Sequence, residues 1–247
     1  MRLSKKDWDA YVTRLSKINK TASKKMANFI GTHGYDDTKL LVDYAYELTQ
    51  TYGEASAALS ANMYEKIAYM QKAAIKTPEL APPASYSEVA KSIYGTAKYQ
   101  NDELVSGTVE RLVKRQGADT IMRNAIRDGA EWAWIPSGDS CAFCQILASQ
   151  GWQKASKSQL DGGHAEHIHA HCDCTFAIRF DGLDVPGYDP DEYLKRYEDA
   201  DGGKWQAKMN AMRREHYAEN KDEINAQKRE NYEQRKQLEK EKEEKNG

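Results

Sequence analysis

No uninterrupted apolar run in the 247 residues reaches the roughly eighteen that a membrane-crossing helix needs, so a transmembrane helix is excluded and no membrane partner is expected. The N-terminal stretch is basic, but no apolar segment follows it, which excludes a secretory signal. Charge of one sign is not in excess either: 36 Lys and Arg meet 38 Asp and Glu, for a net charge of −2. That balance argues against a chain that binds nucleic acid over its whole surface, but not against a local basic patch. Residues 131–180 hold little apolar bulk. Cysteine is rare as well, but all four copies fall between 141 and 174.

The first half reads as helical. Arg2, Lys5, Lys6, Arg14, Lys17, Lys20, Lys24 and Lys25 face only Asp7 and Asp9. Trp8, Tyr11, Leu15, Ile18, Met26 and Ile30 recur at three- and four-residue steps, the pattern of an amphipathic helix. Gly31 and Gly34 are expected to stop it. Its basic face is either a solvated surface or an arm for an acidic partner or nucleic acid. A second helix starts after Tyr35, with Asp36 or Asp37 as cap. Its apolar stripe could run to Ile75, with Gly53 as a potential break. Thr77 to Pro83 is a proline-rich connector. Ser85 and Glu88 form a capping box, opening a helix expected to end near Gly117. A short helix over 118–128 follows, stopped by Gly129.

Beyond 128 the pattern changes. Glu131 to Ile135 alternates and is aromatic, which reads as a strand. A short helix over 141–150, a short strand over 151–153 and a loop over 154–168 follow. Thr175 to Phe180 is a second alternating strand, to pair with 131–135 or 151–153. A turn-rich linker leads to a short helix over 191–197. From Lys204 the charged tail is expected as a solvated helix, or as disorder unless a partner orders it. The expected fold class is α+β in three parts: a helical domain over 1–128, a small β-containing Cys/His module over 129–182, and a linker with a charged helical tail over 183–247.

The chemistry lies in one cluster. Cys141 and Cys144 form a C-x-x-C pair, and His169-Ala-His171-Cys172-Asp173-Cys174 follows, with His164 and His167 just upstream. A C-x-x-C turn puts two sulfurs on one side of the chain, and a second pair from a distant segment completes the four-ligand shell of a structural zinc. Cys141 and Cys144 are the first pair. His169 with Cys172 or Cys174 is the second, and two residues two apart in a strand face the same way. The candidate ligands are therefore Cys141, Cys144, His169, Cys172 and Cys174.

Three other readings stand beside this one. Disulfides such as Cys141–Cys172 and Cys144–Cys174 need an oxidising compartment. A redox C-x-x-C needs a βαβ setting that the pattern lacks. A catalytic metal remains, in which His164, His167 or His171 activates water in a metal-dependent nuclease. His164-Ala-Glu166 echoes half of a zinc deaminase motif, but the order of the halves is reversed.

Pro136-Ser-Gly-Asp139-x-Cys141-x-x-Cys144-x-x-Leu147-Ala-Ser-x-Gly151, then His169-x-x-Cys172-Asp173-Cys174 and a strand, resembles the Mu F-like minor head proteins of tailed bacteriophages. The resemblance covers residues 85–182, and the helical first half suits that family's layout. It implies a virion protein and not an enzyme: a few copies per head, association with the portal and capsid proteins, and a part in head morphogenesis and DNA packaging or delivery. Packaged DNA could be met by the basic N-terminal helix, and no small-molecule substrate is expected. The family's cysteine and histidine positions fall on the five candidate ligands, while zinc itself rests on spacing and ligand chemistry.

Overall fold

Four helices build the first half: α1 (Lys5–His33), α2 (Thr38–Met70), α3 (Tyr86–Ala97) and α4 (Asp102–Asp128). They belong to a computed structural model that describes residues 3–137, 140–162 and 172–246. Each helix opens on a side-chain cap. Ser4, Asp37, Ser85 and Asn101 accept from the backbone N–H of Asp7, Leu40, Glu88 and Leu104. Glu88 answers Ser85 by accepting from its backbone N–H, so the capping box is complete.

The helix ends differ from the sequence expectation in instructive ways. α1 runs through Gly31 and closes at Gly34, whose N–H returns to Ile30. α2 passes Gly53 unbroken but ends at Met70, short of Ile75. There the side chain of Gln71 accepts from the backbone N–H of Phe180 at 2.7 Å, and Lys72 turns to a φ of 54°. The segment expected as one helix to Gly117 is broken earlier, at 98–101, where Gln100 takes a φ of 47° and Asn101 caps a new helix. α4 then continues through Gly117. This glycine is a contact point and not a stop, because a Cβ there would lie 2.5 Å from Ser56 Oγ and 2.9 Å from Ser60 Oγ on α2.

The connector between α2 and α3 is held extended by one face of α4. Asn124 accepts from the N–H of Glu79 at 3.0 Å and donates to its carbonyl at 2.8 Å. Thr120 Oγ1 accepts from the N–H of Ala81, and Gln116 donates to the carbonyl of Ala81. Positions 116, 120 and 124 are one turn apart, so they line one side of the helix.

The second half carries an antiparallel sheet of three strands, β1 (Glu131–Ile135), β2 (Gln153–Lys154) and β3 (Thr175–Arg179), in the order β2-β1-β3. Trp132 lies opposite Ile178 and Trp134 opposite Phe176. These side chains share one core with Trp8, Tyr11 and Leu15 of α1, Tyr64 of α2 and Met122 of α4, so the core continues across residue 128. The fold class is α+β.

Five further helices complete the described chain: α5 (Ala142–Ala148), α6 (Lys157–Gly162), α7 (Pro190–Asp199), α8 (Trp205–Glu219) and α9 (Lys221–Asn246). α6 occupies part of the expected loop. Gln159 explains it, accepting from the N–H of Ser156 as the second member of a capping box and from Trp132 Nε1 at 3.1 Å. Among the described residues no helix is long and apolar enough to cross a membrane.

Candidate metal centre

Cys141 is the N-cap of α5 and Cys144 sits in its first turn. The first turn of a helix presents such residues toward one point, so a C-x-x-C placed there delivers two sulfurs together. Cys144 is fully buried beneath the sheet core. Cys172 and Cys174 arrive from the segment that leads into β3, and their spacing of two keeps them on one side of an extended chain.

The structure draws these residues together. The Sγ atoms of Cys144 and Cys172 are 3.4 Å apart, and those of Cys144, Cys172 and Cys174 all lie within 4.8 Å of one another. Sulfurs around a tetrahedral zinc, each bonded at about 2.3 Å, stand about 3.8 Å apart. Cys141 meets the cluster at one edge: its thiol is within hydrogen-bonding reach of Cys144, but it is not among the sulfurs that lie within 4.8 Å of one another. Cys172 and Cys174, posed by the sequence as alternatives, both reach the cluster. No disulfide joins the four among the described residues. His169, also expected as a ligand, lies outside the described residues, as do His164, His167 and His171.

Electrostatics at this point favour a cation. The Cys144 thiol is pushed well above its usual range by its hydrogen bonds to Cys141, Cys172 and Cys174 and by burial. At Cys174 the hydrogen bond with Cys144 and the backbone N–H of Ser137 pull downward, but Cys172 and burial outweigh them and raise it. Crowded thiols cannot all ionise beside one another, and a divalent ion removes that penalty. Three of these cysteines, Cys144, Cys172 and Cys174, are thus placed to hold a metal ion.

Two polar clamps seat the second cysteine segment. Lys114 of α4 donates to the carbonyl oxygen of Cys172 and pairs with Glu110 at 2.9 Å, both side chains being almost wholly buried (7% and 2% exposed). On the other side, Asp173 accepts from Ser16 at 2.7 Å and from Lys20 at 2.8 Å, both on α1. The backbone N–H of Cys174 faces Cys172 Sγ at 3.4 Å. A cavity of about 30 Å³, lined in part by Asn19, Lys114 and Trp134, lies against this segment and has room for one water.

Reasoning from sequence missed Lys114, Ser16 and Lys20. The signal for Lys114 was present: Glu110 and Lys114 are one turn apart, each directly following a valine, and these valines, Val109 and Val113, are also one turn apart.

The model of one family, described as VG15 protein, matches residues 2–200. No curated protein matches the chain. No solved structure matches it either.

Proposed function

The chain belongs to the VG15 protein family, a family of phage proteins, and from that premise we propose that it is a structural minor head protein of a tailed bacteriophage. It associates with the portal or the inner capsid during head morphogenesis and DNA packaging or delivery, and turns over no substrate. It works in the host cytoplasm during assembly and ends in the virion.

The observation that carries this reading is the cysteine centre. Sulfur ligands from two distant segments meet under the sheet, and the backbone of one segment is tied to α1 and α4. A closed, sulfur-rich shell is the structural type of zinc site, whereas a catalytic zinc keeps one position open to water. Zinc held by Cys141, Cys144, Cys172 and Cys174, with His169 as the alternative to one of them, fixes the small sheet on the helices. The long helices then serve as contact surface. On α1, Arg14, Lys17, Lys24 and Lys25 are exposed, which suits packaged DNA.

Quantitative mass spectrometry of purified heads tests the proposal. The chain is expected there in a few copies per particle and is expected to be retained by immobilised portal protein. Its absence from purified heads overturns the reading. The competing nuclease reading rests on His164, His167 and His171, which lie outside the described residues.

A further inference from the structure

α5 has two working faces. Cys144 and Ala148 point into the main core, while Ala142 and Ile146, one turn apart, form a separate small core with Met209 and Met212 of α8. Phe143 adds an edge-on contact with Trp205 at 6.4 Å. At the edge of this small core Tyr197 and Ala200 from the end of α7 pack against it, and Lys208 of α8 donates to the carbonyls of Tyr197, Glu198 and Ala200. α7 itself buries none of its residues. The seat of the C-terminal arm is therefore the outer face of α5.

That seat cannot stand alone. α5 is seven residues long, and isolated helices shorter than about twelve residues are marginal in water. Its N-cap residue makes no side-chain capping bond. Its start is held by the sulfur cluster through Cys144, with Cys141 in reach of that thiol, and by Gln145 donating to the carbonyl of Ser140 at 2.9 Å.

We propose that the cysteine centre is the lock of the C-terminal arm: a metal bound there holds α5 in shape, and α5 in turn holds α8, so that loss of the metal frees residues 205–246 from the body. This rests on the metal reading above, and it concerns a segment beyond the family match, which stops at residue 200. The metal–sulfur bonds break as the chelator takes the ion, the freed thiolates take up protons from water, no backbone bond changes, and the docked helix lifts.

Limited trypsin digestion of the full-length protein tests it, with metal content measured on the same samples. Cuts after Lys208, Arg213 and Arg214 in α8 are expected to be slow in the protein as purified. They should quicken at least tenfold after chelation under reducing conditions and slow again on adding zinc. Cuts within α2 serve as the internal control and should not change. The Met209→Ser/Met212→Ser variant should be cut as fast as the chelated protein while keeping its metal. Metal-free protein with an unchanged α8 pattern overturns the lock, as does an equal rise in cutting everywhere. A protein that neither carries nor takes up metal overturns the metal reading itself, and the lock with it.

Discussion

The ammonium of Lys114 reaches the backbone carbonyl of Cys172, 58 residues further along the chain. A buried cation on a long helix thereby sets the height of a cysteine whose sulfur lies 3.4 Å from that of Cys144. Replacing Lys114 by Met takes the cation away from the buried Glu110 carboxylate, and the expected loss is about 3 kcal/mol in chemical denaturation. The Lys114→Met/Glu110→Leu double variant should recover most of that stability. It should still bind zinc about tenfold more weakly, because the donor that orients Cys172 is gone. Equal zinc affinity in the double variant and the parent would deny Lys114 its positioning role.

Elemental analysis with thiol titration on fresh protein should find one zinc per chain and cysteines shielded from reagent. Zinc binding in small modules is worth on the order of 10 kcal/mol and counts toward folding. Chelation should therefore loosen the contact of Phe143 with Trp205, read as a change in near-ultraviolet circular dichroism, while the helical half keeps its far-ultraviolet signal. Four reactive thiols and no metal would contradict this.

Asn124 imitates a neighbouring strand for Glu79, accepting from its N–H and donating to its carbonyl. Asn124→Ala should cost about 2 kcal/mol, since both backbone groups lose a partner. Hydrogen exchange of the connector around Glu79 and Ala81 should quicken in the variant, while the amides of β1 keep their protection.

The Arg115 guanidinium beside Glu88 holds that carboxyl below its usual range, with the Ser85 backbone N–H adding to the effect. A carboxyl with a depressed folded-state pKa adds stability that is present above about pH 4.5, its unfolded value, and is lost as the pH falls through the lower folded value. Glu88→Gln should remove that contribution. The melting-temperature gap between variant and parent should be full at neutral pH and narrow in acid below about pH 4. A gap that widens in acid would reverse the assignment.

If the exposed face of α1 meets duplex DNA, affinity should fall steeply with salt, by about 0.9 in logarithmic slope for each phosphate neutralised. Lys17→Glu/Lys24→Glu/Lys25→Glu should lower that slope by close to three such contacts in a fluorescence-anisotropy titration. Binding unchanged by the triple variant would turn attention to an acidic protein surface instead.

Much of this architecture was legible from residue spacing. The stripes of α1 and α2, the box at Ser85 and Glu88, and the strands β1 and β3 follow from the residue pattern, and the structure places all of them, with both strands buried on both faces instead of alternately. The cysteines were legible as a group because their clustering needs no three-dimensional knowledge. What spacing could not reveal depends on contacts across the chain. Gly117 looks like a stop until Ser56 and Ser60 are seen pressed against it. The choice between Cys172 and Cys174 dissolves once both sulfurs are seen to reach Cys144. Ser16 and Lys20 look like ordinary surface residues until Asp173 is brought to them.

The seam between α2 and α4 carries one more implication. Where those helices touch, Gly117 meets two serines with no room for a methyl group, so a hydrogen atom sets how near the two axes can come. Lys114 sits less than one turn away along the same rod. An alanine at 117 would turn the Ser56 and Ser60 hydroxyls aside and press on the Ser56 carbonyl at 3.3 Å, so a mutation hidden between two helices would be felt at the lysine that holds the second cysteine segment.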